Sequence, residues 1–246
     1  MSLSFNDTTT KQGIIQMIER RCKLGDAYIS GNTARLKDWT AEVNATCDKA
    51  WALIFKASGK WQFDDSNHVD YPFITTNLVA SQRDYTFTTD ESGNLILDVY
   101  KVMCKDPQGI YQELYPVDQQ SDEYMQSFFD GRNEEGTPER YDKTANGILL
   151  DLIPDYSITA GLKVFINREG SYFTYSDTTK KPGFAGLFHK YLALEPSYRY
   201  ACDNGLANKN DLKQELLETE SDLKKYYRDR TKDETLIITS QNINSI

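Results

Sequence analysis

The sequence predicts an α+β fold: a helical bundle formed by N- and C-terminal helices, an inserted antiparallel β-domain (a sandwich or a curled sheet), and an extended C-terminal tail. Three observations carry this. Apolar residues recur at helical spacing at both ends of the 246 residues, the period shortens between them, and the last twelve residues carry no charged side chain. Because the helical ends flank the strands, the simplest topology folds the first helices against the last and divides the chain into 1–62, 63–180, 181–232 and a tail at 233–246.

The first element follows Asn6-Asp7-Thr8, where Asn6 or Asp7 can cap exposed amides. Ile14, Ile15, Ile18 and Cys22 then keep helical spacing up to Leu24-Gly25. Asn32 or Thr33 opens a longer helix, in which Leu36, Trp39, Val43, Cys47, Ala50 and Ile54 recur at steps of three and four until Ser58-Gly59. The short Ser30-Gly31 connection favours antiparallel packing of the two.

From Tyr71-Pro72 onward the spacing predicts strands over Phe73–Leu78, Arg83–Phe87, Asn94–Met103, Ile110–Tyr115, Gly147–Leu152 and Gly161–Asn167. Turn clusters such as Asp106-Pro107-Gln108-Gly109 separate them, and a short helix is expected over Asp118–Phe129. Helical spacing returns after Pro182-Gly183 with Phe184, Leu187, Phe188, Tyr191 and Leu194. Pro196 lacks an amide hydrogen, so a kink or restart is expected there. A last helix, capped by Asn210 or Asp211, runs from Leu212 to about Arg230 with Leu212, Leu216, Leu223 and Tyr227 on one stripe.

Composition narrows the function. With Gly counted in place of Tyr, about 38% of residues are apolar, below the roughly 45–50% of globular domains. Yet 16 Tyr, 11 Phe and 3 Trp are far too many for a disordered chain. A folded chain lean in core and rich in Tyr points to an elongated shape or to burial shared with partner chains. No apolar run approaches the roughly 20 residues of a membrane span, and Met1–Gln12 has no signal-peptide pattern, so no membrane is expected. Cys22, Cys47, Cys104 and Cys202 form no CxxC pair and read as reduced thiols.

The net charge of −9 is unevenly placed. Residues 1–60 hold 9 basic and 6 acidic groups, 61–180 hold 9 and 21, and 181–246 hold 10 and 10. An acidic middle without clustered Lys and Arg argues against a sequence-reading nucleic-acid binder.

Catalytic signatures are missing. There is no GxxxxGK[ST], GxGxxG, GxSxG or HExxH, and only His68 and His189 are present as imidazoles. His189, between Phe188 and Lys190, reads as a packing or interfacial residue. The run Asp64-Asp65-Ser66-Asn67-His68-Val69-Asp70 holds three carboxylates and an imidazole, but it lacks EF-hand spacing and reads as an acidic linker. The expectation is a non-enzyme with no cofactor and no metal. The uncharged tail at Thr235–Ile246, with β-branched Ile237, Ile238 and Thr239, suits a frayed terminus or addition to a partner as a strand.

One ordered set of segments carries a resemblance. Tyr71–Phe87 contains TTNL followed by Gln82, Asp84 and Tyr85. It is followed by Ile96–Val102, Leu114–Asp118, Gly136-Thr137-Pro138-Glu139-Arg140-Tyr141, Ile153-Pro154-Asp155-Tyr156, Gly161–Val164, and Pro182-Gly183-Phe184 with Phe188-His189. In order and spacing this resembles the head-to-tail adaptor (connector) proteins of tailed bacteriophages.

The resemblance implies a structural virion protein, found in the neck or tail and in host cytoplasm during assembly. It implies a ring of about twelve copies that docks below the portal protein, joins the capsid vertex to tail or nozzle proteins, and lines a channel that passes DNA without specific binding. The large β-region departs from a compact adaptor. It leaves open another tail or fibre-attachment protein, or a receptor- or carbohydrate-binding module with a Tyr and Trp patch on the β-domain. The tail positions Leu236, Ile237, Ile238, Ile243 and Ile246 are expected at the portal contact. Phe188, Tyr191 and Tyr227 are expected in packing between helices or between subunits.

Overall fold

A computed structural model describes residues 3–58, 73–89, 93, 95–117 and 134–230. The fold is mixed α+β, and the chain forms two units, Met1–Trp61 with Tyr172–Ile246, and Gln62–Ser171. The first is helical and carries 20 basic and 17 acidic residues; the second is built of strands and carries 8 and 20. The two units therefore have net charges of opposite sign, +3 and −12.

In the helical unit, α1 spans Ile14–Arg21, α2 Thr33–Ser58, α3 Tyr191–Asp203 and α4 Lys209–Arg230. Helix α2 packs on α3 and α4, α3 on α4, and α1 on α3. The stripe expected on α2 is the buried one. Leu36, Val43, Cys47, Ala50 and Ile54 are buried, and half-buried Trp39 lies against Tyr200 with ring centroids 5.7 Å apart.

Termini and caps differ from the sequence reading in instructive ways. Asp7 does not cap α1; its Oδ1 accepts the amides of Thr9 and Thr10 and closes a separate turn. Asn32 does cap α2, accepting the Arg35 amide at 3.1 Å. Helix α1 ends not at Gly25 but at Lys23, which takes φ 55° while its amide reaches Arg20 and that of Leu24 reaches Glu19. Helix α3 ends in the same Schellman arrangement, with Gly205 at φ 62° and the Leu206 amide on the Ala201 carbonyl.

No restart occurs at Pro196, because α3 runs continuously through it. Pro196 sits in the second turn, where it forfeits one backbone bond, and the Ser197 hydroxyl donates to the Ala193 carbonyl at 2.7 Å. Helix α4 begins three residues before the expected Leu212, and the Leu212 amide bonds the Asn208 carbonyl. The helical turn at Gly186–Phe188 is a 3₁₀ turn separate from α3.

The strands are β1 Phe73–Leu78, β2 Asp84–Thr86, β3 Ile96–Lys105, β4 Tyr111–Pro116, β5 Arg140–Thr144, β6 Gly147–Leu150 and β7 Ile158–Arg168. They form one sheet in the order β1-β7-β3-β4-β5-β6-β2. Of the two expected forms, this is the curled sheet. One core cluster gathers side chains from its first strand (Ile74, Leu78), its middle (Val102, Leu114, Val164) and its last (Tyr85). The sheet is not purely antiparallel: β4 and β5 pair in parallel, Tyr115 opposite Arg140 and Pro116 opposite Tyr141.

Strand β5 was not expected, since in Arg140-Tyr141-Asp142-Lys143-Thr144 only Tyr141 is buried. It forms a hairpin with β6 through Ala145-Asn146. At the crossing of β6 and β2, a Cβ on Gly147 would lie 2.0 Å from the Tyr85 carbonyl oxygen, so only glycine fits. The segment 172–180, grouped with the strands by the sequence reading, belongs to the helical unit: Phe173 stacks on Phe5 with centroids 4.6 Å apart, and the Phe5 amide bonds the Lys180 carbonyl. The expected helix over Asp118–Phe129 lies outside the described residues.

Candidate functional site

The titratable groups most often used in catalysis are engaged in structure. His189 is buried, its Nδ1 accepts the Leu3 amide at 3.0 Å, and its Nε2 faces the Phe184 carbonyl at 2.8 Å. This pair of partners fixes the neutral Nε2–H tautomer, and burial lowers the imidazole below its ordinary value. Burial likewise pushes the Cys22 and Cys104 thiols up to about 11 and Cys47 higher still. A thiol held protonated is a poor nucleophile. Among the described residues no group of three or more His, Cys, Asp or Glu is placed to hold a metal ion. The run around His68 lies outside the described residues.

The aromatic residues singled out on the C-terminal helices pack within their own unit. Tyr191 is buried and donates its hydroxyl to Glu220 at 3.0 Å. Tyr227 is buried, and its hydroxyl oxygen accepts the Ala185 amide at 3.0 Å. Phe188 is buried against Tyr226, with centroids 5.4 Å apart. Phe188, Tyr191 and Tyr227 are thus all placed inside the helical unit. The portal-contact positions Leu236, Ile237, Ile238, Ile243 and Ile246 lie outside the described residues.

Three surfaces among the described residues stand out. On the helical unit, α2 and α4 border a groove of about 440 Å³ lined by Leu53, Lys56, Ala57, Ser221, Lys224, Lys225 and Arg228. Four cations line this groove, although Lys224 also lies 3.9 Å from Glu220.

On the β-unit, the outer face of β1, β7, β3 and β4 carries an aromatic stripe interleaved with lysines. Phe73 lies opposite Phe165, with centroids 5.5 Å apart, and Tyr100 lies 6.0 Å from Phe165. Lys163 sits 4.6 Å over Phe73 and 4.5 Å over Tyr111, and Lys105 sits 5.0 Å over Tyr111. Such cation–π contacts are each worth roughly 0.5–1 kcal/mol at exposed sites. The stripe is built of Phe, Tyr and Lys; the three Trp of the chain, at 39, 51 and 61, all precede the β-unit.

The third surface is the seam of the curled sheet. β1 and β2 are the end strands of the order, each with one neighbour. Both border a groove of about 300 Å³, with Ile74, Thr75 and Thr76 on one side and Tyr85, Thr86 and Phe87 on the other. At one end of the seam the Tyr85 hydroxyl accepts the Val79 amide at 3.0 Å, a side-chain bridge where no backbone ladder runs among the described residues. Sequence reasoning missed this seam as a site. Its signal was the charge-free run 71–82 in an otherwise acidic region. No protein-family model matches this chain, and no curated protein matches it.

Proposed function

We propose that this chain is a structural subunit of a ring, the head-to-tail adaptor of a tailed bacteriophage, which docks below the portal and joins the capsid vertex to the tail. In this reading the N- and C-terminal helices form a bundle that makes the body of the ring. The observation that carries it is the division of charge: a helical unit of +3 and a β-unit of −12 in one chain. Opposite signs on two units of identical subunits favour heterologous contacts, the kind that close into rings when the rotation allows. The cationic groove between α2 and α4 supplies a positive surface for such a contact. The resemblance in segment order and the low apolar fraction support the same reading.

The C-terminal residues 233–246 are the intermolecular element, with Leu236, Ile237, Ile238, Ile243 and Ile246 as its apolar contacts. Nothing in this role requires a cofactor or a catalytic group.

Negative-stain images of the chain alone and mixed with portal rings test the proposal. A ring of about twelve copies, free or seated on the portal, is the expected result. Failure to associate with portal in any mixture overturns it. A second reading, a receptor-binding virion module, is favoured by the stripe of Phe73, Phe165, Tyr100 and Tyr111 on the β-unit. A stable trimer that ignores the portal is its expected signature.

A further inference from the structure

The seam between β1 and β2 has the properties of a site for an added strand. Each of these strands has one partner in the seven-stranded sheet, β7 and β6 respectively. Their outer edges border one groove, and an edge strand offers a row of backbone amides and carbonyls to any extended segment laid beside it. A strand laid along either edge extends the seven-stranded sheet by one strand. The lining residues, among them Thr75, Thr76, Gln82 and Thr86, include no charged group. That is unusual in a unit with 20 acidic residues, and it selects against a charged occupant, whose ions would lose water without gaining a partner.

We infer that the seam receives residues 235–246 from a second copy of this chain. The two longest runs without a charged residue are 71–82, which contains β1, and 235–246, each twelve residues long. Half of the residues in 235–246 are β-branched, the class that packs best on a pleated surface. Twelve extended residues span about 40 Å, ample for the six residues of β1. Donation of such a segment from each copy to the next is a heterologous contact, which closes into a ring when the rotation allows. The inference rests on the reading of this protein as an assembly subunit, and it assigns the tail residues expected at the portal contact to the next copy's β-unit instead.

The test uses full-length chains carrying Cys202→Ser, which removes the one exposed cysteine among the described residues. One chain carries Thr86→Cys, at an exposed position of β2. The other carries Ile238→Cys, with Leu236→Cys and Thr239→Cys made in parallel to cover the register. After mixing and mild oxidation, the expected product is a disulfide-linked peptide joining position 86 to the tail across two chains. Adding Thr75→Lys, at an exposed position on the β1 edge, is expected to lower its yield about tenfold, because an edge lysine blocks strand addition.

A double variant with both cysteines that links only within monomers overturns the inference in favour of the chain's own tail. Oligomers that form without any link at these positions overturn the seam as receiver and leave the assembly reading standing. A chain that neither links nor associates at any concentration overturns both.

Discussion

The two units differ in how many polar side chains they bury. Of the eleven buried polar or charged residues among those described, nine lie in the helical unit: all except Asn167 and Arg168. Four of them, Asn6, Gln16, Glu19 and His189, tie irregular segments to the rest of the unit, whereas Thr40, Thr46, Ser197 and Thr219 donate to carbonyls of their own helices. Glu19 on α1 accepts the amides of Ile29 and Ser30 at 2.8 and 2.9 Å and the Ser30 hydroxyl at 3.1 Å. His189 holds the N-terminal segment through Leu3, and Gln16 bonds both the Asp7 amide and the Asn6 side chain. In the β-unit, backbone pairing surrounds an apolar core and exposed or half-buried side chains hold the turns, as where Asn77 accepts the Ala160 amide at 2.9 Å and Tyr156 donates to the Lys105 carbonyl at 2.6 Å; among the described residues the sheet ends at β1 and β2. The helical unit is thus held by buried side-chain bonds, whereas among the described residues the sheet of the β-unit ends at two edge strands.

The largest effect that would break this comparison lies at Glu19. Glu19→Ala leaves the buried Ile29 amide and the half-buried Ser30 amide without an acceptor and is expected to cost about 3 kcal/mol, charged hydrogen bonds being worth roughly 1.5–3 kcal/mol each. Urea unfolding measures the loss. Hydrogen exchange localises it, with the amides of Ile29 and Ser30 expected to exchange faster. A core truncation in the β-unit, Leu114→Ala, is expected to cost a similar 2–5 kcal/mol while leaving those amides protected. Equal loss of protection in both variants would show that the units do not stabilise separately.

The next effect is pH-dependent. His189 is neutral when folded, with its proton affinity lowered by burial, and an unfolded imidazole titrates near pH 6.5. Below that pH the unfolded chain binds a proton that the folded chain refuses, so stability is full above about 6.5 and falls as pH drops. The contribution is at most about 1.4 kcal/mol per pH unit, and it continues until the lowered folded value is reached. His189→Gln is expected to flatten this portion of the profile as measured by denaturant midpoints. An unchanged slope would mean that His189 is not the group responsible.

Much of the fold was legible in the sequence because periodicity survives where one face is buried. The stripe on α2 and the first strand, Phe73–Leu78, follow from apolar spacing alone. What escaped were features set by partners distant in sequence. β5 has a single buried side chain, Tyr141, so its membership in the sheet depends on β6 rather than on its own pattern. α3 runs through Pro196 against the local rule, and the end of α1 rests on a lysine that adopts a conformation normally left to glycine. The seam was invisible for the same reason, since Thr75 and Thr86 come to border one groove only once the sheet has curled.

The smallest effect sharpens the same point. Lys23 holds φ 55° at the end of α1, so Lys23→Gly is expected to relieve backbone strain and raise stability by about 0.5–1 kcal/mol. The identical change at α1 position Arg20, inside the helix, is expected to lower stability by about 1 kcal/mol. Thermal melts of the two variants separate a conformational effect from loss of a basic side chain.

The central claim is that this chain completes its burial between copies. Sedimentation velocity across a concentration series, on the full chain at low micromolar to near-millimolar levels, tests it most directly. The expected result is a monomer that gives way to one discrete, much faster species, as a closed ring requires. A sedimentation coefficient that stays at the monomer value over the whole series contradicts the claim.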